Sequence, residues 1–170
     1  GAPRTRVEMT FNALRDDIVN GELEPGSRLA VEHLRQRYGV GSSTIREALS
    51  LLIADALVTA EGQRGFSVKP MSSADLRDLS GLRVLLETKA LQESIANGDD
   101  DWEAGIVAAF HRLSKAQERV DAGDPEAATE WEIRNKEFHE ALTSHSESPW
   151  TRYMLDILHH HSERYRRRAL

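Results

Sequence analysis

Residues 39–52 read GVGSSTIREALSLL, and the reading of this stretch decides the fold. Its back half has the apolar spacing of a buried helix that runs from Ser43 or Thr44 to Asp55, with Ala48, Leu49, Leu51 and Leu52 inward. In front stand four small or hydroxylated residues, Gly41, Ser42, Ser43 and Thr44, and Arg46 follows two places on. Ser42 suits an N-cap, where a side-chain oxygen takes up a free backbone N–H. The same residue types also suit a surface that meets a polyanion. Short donors let a backbone come close, and arginine offers a two-pronged hydrogen-bonding fork.

The flanks favour the second use. Upstream, Met9, Phe11, Leu14 and Ile18 predict a helix over 7–20 that Asn20-Gly21 stops. Pro25-Gly26 is a type II turn signal within an irregular or short extended connection, residues 22–28. A second short helix follows over 31–38, with Leu34 and Tyr38 on one face and Gly39 as its stop. Downstream, Leu57–Ala60 and Gly65–Val68 are short β-like runs joined by Glu61-Gly62-Gln63-Arg64, which is turn chemistry in a hairpin position. Three helices and a hairpin in this order are the plan of a winged helix-turn-helix.

Lys69-Pro70-Met71-Ser72-Ser73 breaks every periodicity. We therefore divide the chain into a winged domain (1–69), a linker (70–73) and a helical domain (74–170). The last reads as helix throughout, over 73–97, 101–123, 125–144 and from Pro149 onward, with Leu76, Leu79, Leu82, Leu86 and Leu91 in the first of these. The fold class is mainly α: a winged helix-turn-helix followed by an all-α bundle.

Composition narrows the function. The 170 residues carry a formal net charge of −6, which excludes a protein that coats nucleic acid by bulk charge. Residues 1–70 hold nine basic and nine acidic side chains, whereas residues 71–170 hold thirteen and nineteen. A polyanion partner therefore belongs at the N-terminal end. The chain has no cysteine, which removes disulfides, zinc-thiolate sites and thiol catalysis and suits a cytoplasmic location. No apolar run reaches the length of a membrane span.

The series Leu23-x-Pro25-Gly26-x-x-Leu29, Leu34, Tyr38-Gly39-Val40, Ser43-Thr44-Ile45-Arg46-Glu47-Ala48-Leu49, Leu52 and Arg64-Gly65-x-x-Val68 resembles the DNA-binding domain of GntR-type bacterial transcription regulators. The resemblance implies that Ser43, Thr44 and Arg46 contact operator DNA and that Arg64 and Gly65 form the wing. Ser42 stands where many members have an arginine, and Glu32 where many have another. Each missing arginine removes a phosphate or base contact. Ser42 remains a contact candidate through its hydroxyl, and Arg35, with Arg37 beside it, is placed to compensate.

The helical half resembles the FCD effector domain of the FadR-like branch, on Leu82-Arg83-x-x-Leu86-Glu87 and Asn135-Lys136-Glu137-Phe138-His139-Glu140-Ala141-Leu142. In many relatives the second motif has aspartate, then histidine at i+4, as ligands of a divalent metal such as Zn, Ni or Mn; here the pair is Asn135 and His139. An amide oxygen brings no charge, so the resemblance implies a weakened site. Its two further histidine ligands fall beyond Leu170, so the last helices of the usual bundle are expected to be missing. His145 and one or two of His159-His160-His161 are local substitutes.

Arg83 falls among leucines and needs an anionic partner, either Glu87 at i+4 or a carboxylate effector. We therefore take Arg83, Asn135 and His139 as effector-binding candidates. Trp102, Trp131 and Trp150 read as core or helix-contact residues, and Arg164, Arg166, Arg167 and Arg168 as a solvated basic helix end.

The expected function is a homodimeric DNA-binding regulator, a repressor released from its operator by a small organic acid. Two rivals differ in class: a metal-dependent helical-bundle enzyme with a winged docking domain, and a protein-binding adaptor. Neither a glycine-rich phosphate loop nor a His-Glu-x-x-His motif is present to supply an enzyme's reactive groups.

Overall fold

The computed structural model describes residues 5–62 and 65–169. The chain runs α1 (Arg6–Asn20), β1 (Arg28–Leu29), α2 (Val31–Tyr38), α3 (Ser42–Ala54), β2 (Val58–Ala60), β3 (Phe66–Val68), α4 (Ser73–Asn97), α5 (Asp100–Asp121), α6 (Ala127–Thr143) and α7 (Pro149–Ala169). It separates into two compact units, residues 1–79 with 160–170, and residues 80–159. Both α4 and α7 run from one unit into the other.

The winged unit begins at a capping box: the Thr5 side chain accepts from Glu8 N–H, and the Glu8 carboxylate accepts from Thr5 N–H. Glu24 to Ser27 is the expected type II turn, closed by Ser27 N–H on Glu24 O at 3.0 Å, with Gly26 at φ 76°. It leads into β1, which pairs antiparallel with β3, so the wing is a three-stranded sheet of order β1-β3-β2 where the sequence showed a hairpin. Two residues are too few to display alternation, and β1 exists because Arg28 and Leu29 meet Ser67 and Phe66. Leu14, Ile18, Leu34, Ile45, Leu49, Leu52, Leu57, Val58 and Val68 close one core. Leu51, expected inward, is 44% exposed, because Ile45, Ala48, Leu49 and Leu52 already form the i, i+3, i+4, i+7 stripe of α3.

The C-terminal turns of α7 complete this unit. Arg164, read in the sequence as part of a solvated tail, is 1% exposed and donates through Nη2 to the Lys69 carbonyl at 2.7 Å. The contact spans 95 residues of sequence, so no local pattern announces it. Arg167 pairs with Glu163 at 2.7 Å, and Arg168 is exposed.

In the second unit α5 and α6 form an antiparallel hairpin, in which the Phe110 and Phe138 rings meet at a tilt of 53° with centroids 5.6 Å apart. Asp99 caps α5, and Trp102 Nε1 donates to the Ala141 carbonyl at 2.9 Å. Gly98 makes room for that indole: a Cβ there would collide with Trp102 and lie 2.8 Å from the Ser94 carbonyl oxygen. Trp131 donates to Gln117 at 2.7 Å. Trp150 departs from its expected contact role and is 73% exposed, edge-on to Tyr153.

Candidate nucleic-acid interface and ligand cavity

The N-terminus of α3 differs from the expected cap. The N-cap is Gly41, with φ −74° and ψ 160°, and among the described residues no side chain caps the helix; Ser42 is the first helical residue. The small residue before the serines holds the extended turn conformation, which leaves the first N–H groups of α3 without a side-chain acceptor. Such groups suit a phosphate oxygen. Ser42, Ser43 and Arg46 are exposed and Thr44 is partly exposed, while Ile45, Ala48 and Leu49 hold the opposite face in the core. Among the described residues Arg46 has no carboxylate at ion-pair distance.

The wing tip turns at Gly62 (φ 51°) and Gly65 (φ 84°), left-handed positions that suit glycine, and Glu61 N–H on Gly65 O at 3.0 Å closes it. Arg64 lies outside the described residues. Arg35 makes a two-pronged contact with Glu32, 3.1 Å from Nε and 2.7 Å from Nη2, and Arg37 pairs with Asp17 at 2.8 Å over the Tyr38 ring. The glutamate that replaces a family arginine is thus the partner of Arg35. An exposed pair of this kind contributes little, so phosphate competes readily for the guanidinium.

In the second unit a cavity of about 680 Å³ opens beside α6 and α7, with Glu87, Lys136, His139, Arg152, Asp156 and His159 among its lining. His139 Nδ1 lies 3.3 Å from one Glu87 oxygen, and Arg83 Nε donates to the other at 2.9 Å. Burial alone pushes the Glu87 carboxyl up, but the bonds from His139 and Arg83 outweigh it and hold it at about 2. Arg83 therefore has the i+4 partner available in the sequence, and it serves the cavity through Glu87. Lys136 is occupied by Asp156 at 2.7 Å. Arg152, which sequence reasoning missed, donates to the Ser146 carbonyl at 3.2 Å and has no carboxylate partner among the described residues. Its only sequence signal was an arginine in the first turn of a helix that begins Pro-Trp-Thr-Arg.

Of the metal candidates, His139 lines the cavity and Asn135, 8% exposed, is not among its lining residues. His145 packs against the Trp102 ring at 5.9 Å. Within the His159–His161 run, His159 reaches the cavity, and His161 bonds to the Asp55 carbonyl in the winged unit. Two residues apart on a helix is about 200°, so the two point to opposite sides. Asn135 and His139 supply one neutral amide and one imidazole already facing Glu87, a poor donor set for a divalent cation. A buried acid–imidazole group that could hold a metal ion lies nearby: Glu132 and His159 have ligand atoms within 4.8 Å of each other, and Glu163 follows His159 at i+4.

A free helix N-terminus presented by a winged unit, joined to a helical unit with a charged cavity, is the arrangement of a ligand-responsive DNA reader. The bacterial regulatory proteins of the gntR family match residues 6–68, and the FCD domain matches residues 78–170. The chain belongs to the GntR family, with an FCD effector domain. It is 51% identical over 164 residues to BphR, a helix-turn-helix transcriptional regulator of Paraburkholderia xenovorans, covering 96% of this chain and 67% of the relative. It is 37% identical to the transcriptional repressor GlaR of Escherichia coli, covering 92% and 70%. A GntR regulator from Rhodococcus sp. RHA1 superimposes with a TM-score of 0.71 at 27% identity, covering 96% of this chain and 75% of that one. Membership makes this GntR protein a sequence-specific DNA-binding transcriptional regulator rather than an enzyme. Among the described residues no helix is long and apolar enough to cross a membrane.

Proposed function

We propose that this GntR protein is an operator-binding repressor that a small organic acid releases from DNA. The observation that carries the reading is the uncapped start of α3, where exposed Ser42, Ser43 and Arg46, with Thr44, surround N–H groups free for phosphate. Arg46 reads a base edge or phosphate, Arg64 and Gly65 bring the wing to the backbone, and Arg35 exchanges Glu32 for phosphate. A homodimer sets two copies of α3 in successive major grooves of a palindromic site. Residues 1–69 read DNA, 70–73 link, and 74–170 bind the effector and dimerise. Repression follows the relative GlaR, which is named a repressor.

The cavity supports the acid ligand. Arg152 is its cation without a carboxylate partner among the described residues, and Glu87, held by Arg83, faces His139 in the same lining. A divalent ion such as Zn, Ni or Mn would use Glu132 and His159 in preference to Asn135 and His139, because a carboxylate brings charge as well as lone pairs.

Duplexes selected by the protein from a random pool test the DNA reading. Affinity for the selected sequence should fall steeply as salt rises, with a log–log slope near −0.9 per phosphate contacted; a flat salt dependence contradicts it. A thermal-shift screen of mono- and dicarboxylates tests the ligand: stabilisation that Arg152→Ala abolishes supports the cavity, and stabilisation by none of them contradicts an acid effector.

A further inference from the structure

Arg164 is 1% exposed, and among the described residues only Nη2 of its three nitrogens has a partner. Nε and Nη1 are buried and unbonded. A guanidinium held out of water by one carbonyl, which feels the charge of Asp75 but forms no ion pair with a carboxylate among the described residues, is costly. An apolar side chain of similar length would fill the space without that cost. Arg164 is therefore not placed to maximise the stability of the contact that it sits in.

The contact has a recognisable plan. His161 Nε2 lies 2.9 Å from the Asp55 carbonyl, the C-cap of α3, so this nitrogen carries the proton. Arg164 takes the Lys69 carbonyl, just past β3. Tyr165 donates to Asp75 at 2.7 Å and accepts from Ser72 N–H at 3.1 Å, at the start of α4. Arg168 stands beside Gly21, the C-cap of α1. Donors from one helix thus meet the places where four elements of the winged unit begin or end, two of them helix C-termini that favour positive charge. Burial, joined by the charges of Arg164 and Lys69, holds His161 below the usual imidazole value against the opposing pull of the Asp55 carbonyl and Asp75. Of these donors Arg164 is the poorly compensated one, with two of its nitrogens buried and unbonded.

We infer that the last turns of α7, His161 to Arg168, form a releasable latch on the winged unit, registered by the bonds to Asp55, Lys69 and Asp75 and kept marginal by the unpaired guanidinium of Arg164. The same helix lines the cavity with Thr151, Arg152, Leu155, Asp156 and His159. An occupant of the cavity would therefore touch the helix that carries the latch; that consequence rests on the effector reading above, and the latch itself does not.

Amide hydrogen exchange and melting of the whole chain test the latch without DNA or ligand. Replacing the charge by an apolar chain, Arg164→Met, should slow exchange in peptides covering 160–169 about tenfold and raise the melting temperature by about 3 °C. Tyr165→Phe, which removes the bonds to Ser72 and Asp75, should speed the same exchange about tenfold. Faster or unchanged exchange in Arg164→Met, or failure of that variant to fold, makes Arg164 a plain structural strut and overturns the inference. Tyr165→Phe exchanging like the wild type overturns it equally.

Discussion

The two units bury different chemistry. Among the described residues every large aliphatic side chain that is fully buried belongs to the winged unit, where Leu14, Ile18, Leu34, Ile45, Leu49, Leu52, Leu57, Val58 and Val68 are at most 2% exposed. The helical unit buries Ala90, Ala109, Ala116 and Ala127 together with Ser94, Glu132, Asn135, Ser146, Thr151 and His159. It leaves Val84, Leu85, Ile95 and Val107 more than 60% exposed. One unit is stabilised from within by an apolar core; the other keeps a polar interior around a cavity and presents apolar helix faces outward. A rigid reader and an adaptable sensor need these two constructions, because the reader must hold a fixed surface and the sensor must exchange contacts with a ligand.

Substitutions can break this contrast. The largest effect is expected in the winged core: Leu49→Ala should cost about 2–5 kcal/mol, measured by denaturant unfolding, because the closed core cannot collapse around the void. A loss under 1 kcal/mol would place the stabilising core elsewhere. Next is Gly98→Ala in the helical unit, where the Trp102 indole, tied to Ala141, cannot move aside. A loss of about 1–3 kcal/mol is expected, and an unchanged melting temperature would show that the indole is loosely held.

Glu87→Gln should have a smaller effect, about 1–2 kcal/mol near neutrality, and a distinctive acid profile. The carboxyl is held at about 2 in the fold against an ordinary 4.5. As pH falls the unfolded chain therefore takes up the proton first. The stabilisation is complete above 4.5 and is lost as the pH approaches about 2. Melting curves across that window should slope less for Glu87→Gln than for the wild type. Parallel slopes would mean that His139 and Arg83 do not hold this carboxylate.

The contrast also explains what the sequence disclosed. In the winged unit local patterns and tertiary packing agree: Gly39 ends α2 at the expected residue, Pro25-Gly26 turns as its residue types demand, and α2 occupies the expected 31–38. Two details escaped for local reasons. Gly41 rather than Ser42 takes the N-cap, since the serine is drawn into the first turn, and β1 is too short to carry a period. In the helical unit, helix positions were legible but partners were not. Glu87 was visible as the neighbour of Arg83, whereas its bond to His139 joins helices 52 residues apart. His159 and Arg152 reach the cavity through the packing of α7, and Arg164 is held by a carbonyl 95 residues away. Charge and helical spacing indicated which residues carry chemistry; their pairing needed the fold.

The start of α3 is the surface proposed to read DNA, and Arg46 tests it most directly. Fluorescence anisotropy with a duplex selected by the wild-type protein should show Arg46→Ala binding about 1–3 kcal/mol more weakly, with melting unchanged because the side chain is exposed and outside the core. Equal affinity of Arg46→Ala and wild type for that duplex would contradict the assignment.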